Sequence, residues 1–401
     1  MKTVGVIVEY NPFHNGHFYH IQKAKEQTQA DIVIAIMSGP FLQRGEPAIV
    51  SKWHRAEMAL SNGVDLVIEL PYAFATQHAE TFAKGAVSLL HSLQCDALCF
   101  GSESGNIQAF IDTYELLENN KTAYNDFLKF FLEDGNSYPK AASLAFQAIA
   151  KEEYLDLTKP NNILGFQYVK AVLSNSFNMQ LHTIARNQAD YHDQHFHSDD
   201  IASATSIRKE LVGSNSSMET ILSFVPAATA KLLSDYRENY GSYHQWENYW
   251  SYLKYRLLQI SKEDLSEIYE VEEGLENRLL ASVKKATSLD QFLTEVKTKR
   301  YTWTRLQRVC LHILTNTKKS DMLKQLEPTY LRLLGSSKPG RLYLKEKKKE
   351  FLLPLISKLS AFHDDQIELD IKASTIYSLG VPFSYQHKLE ELEYCQPPIM
   401  K

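Results

Sequence analysis

A chain of 401 residues, 44% hydrophobic and 23% charged, is long enough for two ordinary domains with full cores and is neither disordered nor fibrous. Its four cysteines, Cys95, Cys99, Cys310 and Cys395, are too few and too scattered for a disulfide framework or a zinc site, and they read as reduced thiols. The net charge of −5 argues on average against a polyanion partner, yet between Lys297 and Glu350 there are 15 Lys and Arg against 4 Asp and Glu, a local excess that is a footprint for nucleic acid.

In chain order, the first hundred residues alternate: strand 4–8, helix 16–28, strand 32–37, helix 51–61, strand 66–70, helix 77–92, strand 97–100. Such alternation predicts an α/β fold with a parallel sheet covered by helices. Ser38-Gly39-Pro40, Asn62-Gly63 and Gly101 punctuate the element ends. Residues 104–158 turn helical and acidic and read as an insertion beside the sheet; helix 162–173, strand 180–185 and helix 203–211 resume the alternation. Beyond Gly213 the pattern is mainly helical, with capping-box spacing at Ser261/Asp264 and Ser288/Gln291. A boundary near Ser214–Ser217 thus divides residues 1–215 from a mainly helical 216–401, in which TYLRLLG and ELDIKASTIYSLG are expected as strands of a small appendage. The amino-terminal apolar run is broken by Glu9 and Asn11-Pro12 before a signal sequence would be complete, and no segment approaches the roughly 20 apolar residues of a membrane helix, so no membrane contact and a cytoplasmic location are expected.

The stretch EYNPFHNGH, Glu9 to His17, falls at the first strand-to-helix corner, where unpaired helix N–H groups favour an anion. Gly16 lets a ring or phosphate approach the backbone. His14 and His17 stand three apart and share a helix face, so both can aim N–H groups at one phosphate, while Asn11 and Asn15 can bond to phosphate or ribose oxygens. A lone histidine is most often a satisfied core side chain; two at this spacing in this corner favour function. His14, His17 and His20 span too wide an arc to meet at one ion, and no protein metal site is read here.

NPFHNGH after a strand resembles the H-x-G-H signature of the nucleotidyltransferase superfamily, which binds ATP and attacks its α-phosphate. ASATSIRK, residues 202–209, resembles that superfamily's second signature, with Ala204 in place of one hydroxyl and Ser203, Thr205, Ser206 and Arg208 in position. Developing charge on a departing pyrophosphate needs donors and a cation, which these residues can supply. Read alone, the second stretch is as well explained by a capped helix with a solvent-facing arginine.

VGVIVEYNPFHNGH, MSGPFLQRGEPAIVSKW, LPYAFATQHAE, CFGSESG, PNNILGFQYVKA and KTKRYTWTRLQR together are similar to the bacterial tRNA(Met) cytidine acetate ligases over nearly the whole chain. The resemblance implies a Rossmann-like nucleotidyltransferase domain followed by a tRNA-binding half. It implies activation of acetate by ATP as acetyl-adenylate, then transfer of the acetyl group to N4 of the wobble cytidine of elongator tRNA(Met). The implied ATP site comprises Ile7, Val8, Glu9, Tyr10, Asn11, Pro12, Phe13, His14, Asn15, Gly16, His17, His20, Gly101, Asn161 or Asn162, Arg186, Ser203, Thr205, Ser206 and Arg208, with His14, His17 and Arg208 catalytic. Mg2+ is expected to travel with the ATP, held mainly by its phosphates.

Gly101 also opens the carboxyl edge of the sheet, where open α/β folds bind ligands, and one of Asn161 and Asn162 is expected to cap the following helix. Without the resemblance, Arg186 reads as a surface salt-bridge residue. Arg44, between two glycines, is the candidate for the acetate carboxylate or a phosphate. Lys297, Lys299, Arg300, Arg305 and Arg308 around Tyr301 and Trp303 suit an RNA backbone and unpaired bases, with Trp303 better read as core. No G-x-S-x-G and no convincing cysteine nucleophile is present. The rival readings are a small-molecule adenylyltransferase of the same superfamily and an RNA-binding protein with a relict nucleotide pocket.

Overall fold

Strands that are covered on both faces carry no polar alternation, and IVIAIMS is buried at all seven positions. The computed structural model describes residues 1–150, 154–186, 202–213 and 217–401. In it, β1 (Thr3–Val8), β2 (Ile32–Ser38), β3 (Leu66–Leu70), β4 (Ala97–Ser102) and β5 (Gln180–Ala185) form a parallel sheet in the order β5-β4-β1-β2-β3. The order places the carboxyl ends of β1 and β4 side by side, with β5 next to β4. Helices Asn15–Thr28, Lys52–Ser61, Ala79–Ser92 and Pro160–Ser174 make the crossovers. The insertion is helical as expected, with helices Ile107–Asn119, Lys121–Glu133 and Tyr138–Ile149.

The carboxyl-terminal part is mainly helical, as expected, and departs from expectation in two stretches. TYLRLLG does contain a strand, but β6 (Leu331–Ser336) is no appendage: it pairs antiparallel to β3, and β7 (Leu355–Ile356) and β8 (Ile399–Met400) pair with β6 in turn. ELDIKASTIYSLG is helical, within Asp365–Ser378; Gln366, Asp370, Ala373 and Tyr377 are buried at steps of four, three and four, a helical period that its β-branched residues mask. One large cluster of buried side chains runs from Val4 to Leu389, beside a small one of Tyr330, Ile356, Leu359 and Ile367. The late chain completes the early sheet, and side chains from both sides of residue 215 share the large cluster. Ser214 to Ser216 of the expected boundary lie outside the described residues.

Buried charge ties the halves together. Lys52 Nζ lies 2.8 Å from Glu69 Oε1 and 2.9 Å from Glu393 Oε1, and Arg332 bonds Glu393 and approaches Glu69 to 3.4 Å. Burial alone would raise the Glu393 carboxyl, but Arg332 and Lys52 hold it at about 2. Beside this cluster, Asp370 accepts from the Tyr72 amide at 2.7 Å and from the Tyr330 hydroxyl; burial, then the charge of Glu69, pushes it up to about 7. Among the described residues no helix is long and apolar enough to cross a membrane.

Removing one member of a buried ion cluster leaves the others uncompensated. Lys52→Met is expected to lower the unfolding free energy by about 3–5 kcal/mol, measured by denaturant titration.

Burial also lowers His244 and His312 to about 3. A folded-state value below the unfolded one gives stability that is present above about pH 6.5 and lost as pH falls through the folded value. Between pH 6.5 and 5 each of the two is expected to remove about 2 kcal/mol. Asp370 has the opposite sign: its contribution is present below the unfolded value and lost as pH rises through about 7. The thermal midpoint, followed against pH, should fall on the acid side, and Asp370→Asn should flatten its alkaline limb only.

Candidate nucleotide site

The helix Asn15–Thr28 starts with histidine where serine, threonine or aspartate is usual. His14 is the N-cap; its Nδ1 accepts from the Gly16 amide at 3.1 Å, and His17 Nδ1 accepts from the His14 amide at 3.2 Å. The two rings stack with centroids 3.7 Å apart. With both Nδ1 atoms accepting, each neutral ring carries its proton on Nε2. Burial, followed by the nearby charge of Arg186, lowers His14 to about 4; burial, His14, Arg186 and His20 lower His17 as well. The helix end therefore presents two neutral donors.

Tyr10, preceding them, is fully buried in the left-handed region at φ 48° and packs edge-on against His17 at 4.9 Å between centroids. His20, half-buried one turn further on, is also lowered to about 4 by burial and then Arg186. Asn11 accepts from the Ile49 amide at 2.7 Å, and its Nδ2 is buried with no protein partner. Asn15, expected at phosphate or ribose oxygens, instead donates to the Ser223 carbonyl at 2.8 Å, because its side chain turns away along the helix start.

The second signature meets the first. Ser203 caps the helix Ala204–Val212, accepting from the Ser206 amide at 3.1 Å. From that helix Arg208 reaches back, its Nη1 donating to the Asn11 carbonyl at 2.9 Å and its Nη2 lying 3.2 Å from Glu46 Oε2 and 3.4 Å from Thr205 Oγ1. Both turns thus stand at the carboxyl edge of β1.

On the other side, Gly101 is the last residue but one of β4 and Arg186 follows β5. A Cβ at Gly101 would lie 3.0 Å from Arg186 Cδ, so the missing side chain is the space the arginine stem occupies. Arg186 Nη1 donates to Asn161 Oδ1 at 2.8 Å. Asn162 is buried and bonded to the Ser104 amide and the Asp156 carbonyl, a structural role; Asn161 is the one that faces Arg186. Neither side chain caps the helix Pro160–Ser174. That task falls to Glu103, which accepts from the amides of Asn161 and Asn162 at 3.2 and 2.8 Å.

Between the two ends lies the loop 39–48. Gln43 donates its amide to Glu9 at 2.9 Å, and burial raises the Glu9 carboxyl despite that bond. Arg44 is exposed at the loop tip. Arg55, fully buried, donates to the carbonyls of Val50, Glu9 and Gly39 and clamps the ends of β1 and β2. Gly45, at φ 77°, packs on the backbone of Arg308, where a Cβ would come within 2.5 Å of the amide nitrogen.

The basic segment is less free than its sequence suggests. Arg300, Arg305 and Arg308 face Glu273, Glu272 and Glu270 at 3.5, 3.3 and 2.9 Å. Arg308 and Tyr301 are 7% and 5% exposed, and they hold the 270–273 stretch in place. Lys297, Lys299 and Arg300 are exposed, Arg305 is half-buried, and Trp303 packs against the core.

Glu103 and Arg55 were not among the expected site residues. Only Glu103 carried a usable signal, an acid two residues beyond Gly101 at the end of a strand.

A family model of the HIGH Nucleotidyl Transferases matches residues 1–392. The tRNA(Met) cytidine acetate ligase of Bacillus subtilis (strain 168) is 52% identical over 405 residues, covering 100% of this chain and 97% of that protein. The protein of the same name from Geobacillus sp. (strain WCH70) is 50% identical, with both chains covered in full. Among solved structures, Thermotoga maritima TmcAL bound with alpha-thio ATP superposes with a TM-score of 0.91 at 34% identity, covering 100% of this chain and 99% of that one. With a sheet edge of this geometry and likeness along its full length, the chain belongs to the tRNA(Met) cytidine acetate ligases of the HIGH nucleotidyl transferase family.

Proposed function

We propose that the chain activates acetate with ATP and acetylates N4 of the wobble cytidine of elongator tRNA(Met), giving N4-acetylcytidine, AMP and pyrophosphate. The observation that carries this reading is the contact of Arg208 with the Asn11 carbonyl, which brings the hydroxyl-rich helix start onto the histidine-capped one. ATP lies across the carboxyl edge of the sheet, with adenosine between Gly101, Asn161 and Arg186 and the triphosphate between the two helix starts. His14 and His17 donate from Nε2 to the α-phosphate. Arg208, with Ser203, Thr205 and Ser206, meets the charge that gathers on the departing pyrophosphate.

Acetate attacks the α-phosphorus through a carboxylate oxygen, forming one P–O bond while the bond to pyrophosphate breaks. Arg44 is the residue proposed to bring the acetate in. The cytidine amine then attacks the acetyl carbon, loses a proton, and AMP departs. Holding three reactants in line accounts for the rate without a covalent enzyme intermediate. Mg2+ accompanies the triphosphate, carried by phosphate oxygens; among the described residues no three His, Cys, Asp or Glu stand together as a metal cage. The tRNA approaches along Lys297, Lys299, Arg300 and Arg305, in the cytoplasm.

Purified protein incubated with ATP, labelled acetate and bulk tRNA is expected to place label in tRNA as N4-acetylcytidine. Acetate-independent transfer of AMP to a small molecule, or RNA binding without turnover, would instead favour one of the rival readings.

His17→Ala should reduce acetyl-adenylate formation by about 100- to 1,000-fold with tRNA affinity nearly unchanged. Because His14 is neutral until about pH 4, no loss of activity from its protonation is expected between pH 8 and 6. A pH–rate profile of the adenylation half-reaction checks this.

Replacing Lys297, Lys299 and Arg300 by alanine should reduce the slope of log affinity for tRNA against log salt by about 0.7–0.9 for each phosphate that is no longer neutralised. An unchanged slope would remove this face from the tRNA path.

A further inference from the structure

Asn161 is gripped from both sides. Its Nδ2 donates to Glu103 Oε1 at 2.7 Å, and its Oδ1 accepts from Arg186 Nη1 at 2.8 Å. A carboxylate accepts only and a guanidinium donates only, so the two ions read opposite ends of the amide, and turning it over would break both bonds at once. Glu103 is itself fixed, since its two oxygens also take the Asn161 and Asn162 amides at the start of the helix Pro160–Ser174. The stem of Arg186 rests against Gly101, and its charge reaches His14, His17 and His20.

We propose that Glu103 is a positioning residue for the nucleotide: by setting the direction of the Asn161 amide it holds the Arg186 guanidinium over Gly101 and toward the histidine pair, where it meets ATP. The same carboxylate fills one helix N-terminus at the sheet edge. Phosphates are thereby left the helix starts capped by His14 and Ser203 across the site, and ATP lies with its adenosine toward Glu103. This rests on the reading of Gly101, Asn161 and Arg186 as the adenosine end of the site.

Four variants test it: Arg186→Ala, Glu103→Gln, Asn161→Asp, and Glu103→Gln combined with Asn161→Asp. The dissociation constant for ATP is measured by calorimetry, alongside the thermal midpoint without nucleotide. Arg186→Ala should weaken ATP by about tenfold or more.

Glu103→Gln should do the same, because its new amide can donate to Asn161 Oδ1, turning the asparagine and facing its Nδ2 toward the guanidinium. Asn161→Asp alone sets two carboxylates against each other and should also bind poorly. In the double variant the carboxylate at 161 accepts from both neighbours, and affinity should return to within about threefold of the parent.

Parent-like binding by Glu103→Gln, or a folded double variant no better than Glu103→Gln, overturns the proposal. If Glu103→Gln alone does not fold, the double variant decides: within about threefold supports the relay, and tenfold or weaker overturns it. Should Arg186→Ala bind ATP as tightly as the parent, the adenosine site itself is misplaced, a result distinct from failure of the relay.

Discussion

The arrangement of this molecule depends on what caps the first helix after β1. A helix start carries amides with no partner in the helix and a partial positive charge. Aspartate there would satisfy both needs and repel phosphate. Two imidazoles that cap one another satisfy the amides through Nδ1 and keep Nε2–H as a donor, so the end stays capped and still receives an anion. Burial keeps both rings neutral, and the neutral form is the one in which this tautomer is defined.

The neighbouring elements serve that end. Arg55 ties the loops after β1 and β2 to a buried guanidinium, Arg208 closes from the second helix start, and Glu103 organises the side of β4 and β5. Cations that could meet a polyanion are already paired within the protein: Arg208 with Glu46, and the 300–308 arginines with Glu270, Glu272 and Glu273. A polyanion approaching the latter displaces carboxylates as well as counterions.

Much of this was legible in the chain. The parallel alternation, the corner at EYNPFHNGH and the ASATSIRK helix start are local patterns, and each stands where its residues put it. What escaped was long-range. β6 pairs with β3 across more than 260 positions, and a six-residue strand does not name its neighbour. The 365–378 helix hid behind β-branched residues whose helical period shows only when burial is known. Asn161 and Asn162 could not be told apart, since adjacent helix positions diverge in direction but share chemistry. The arginines of 300–308 read as free because the 270–273 glutamates lie two helices away in the sequence.

The late arrival of β6 has a consequence for biosynthesis. Until residues 331–336 have left the ribosome, β3 is an open sheet margin, and the ion cluster of Lys52 and Glu69 lacks Arg332 and Glu393. An unfinished polypeptide therefore holds its histidine corner in an incomplete scaffold, and the power to make a reactive mixed anhydride matures together with the surface that consumes it.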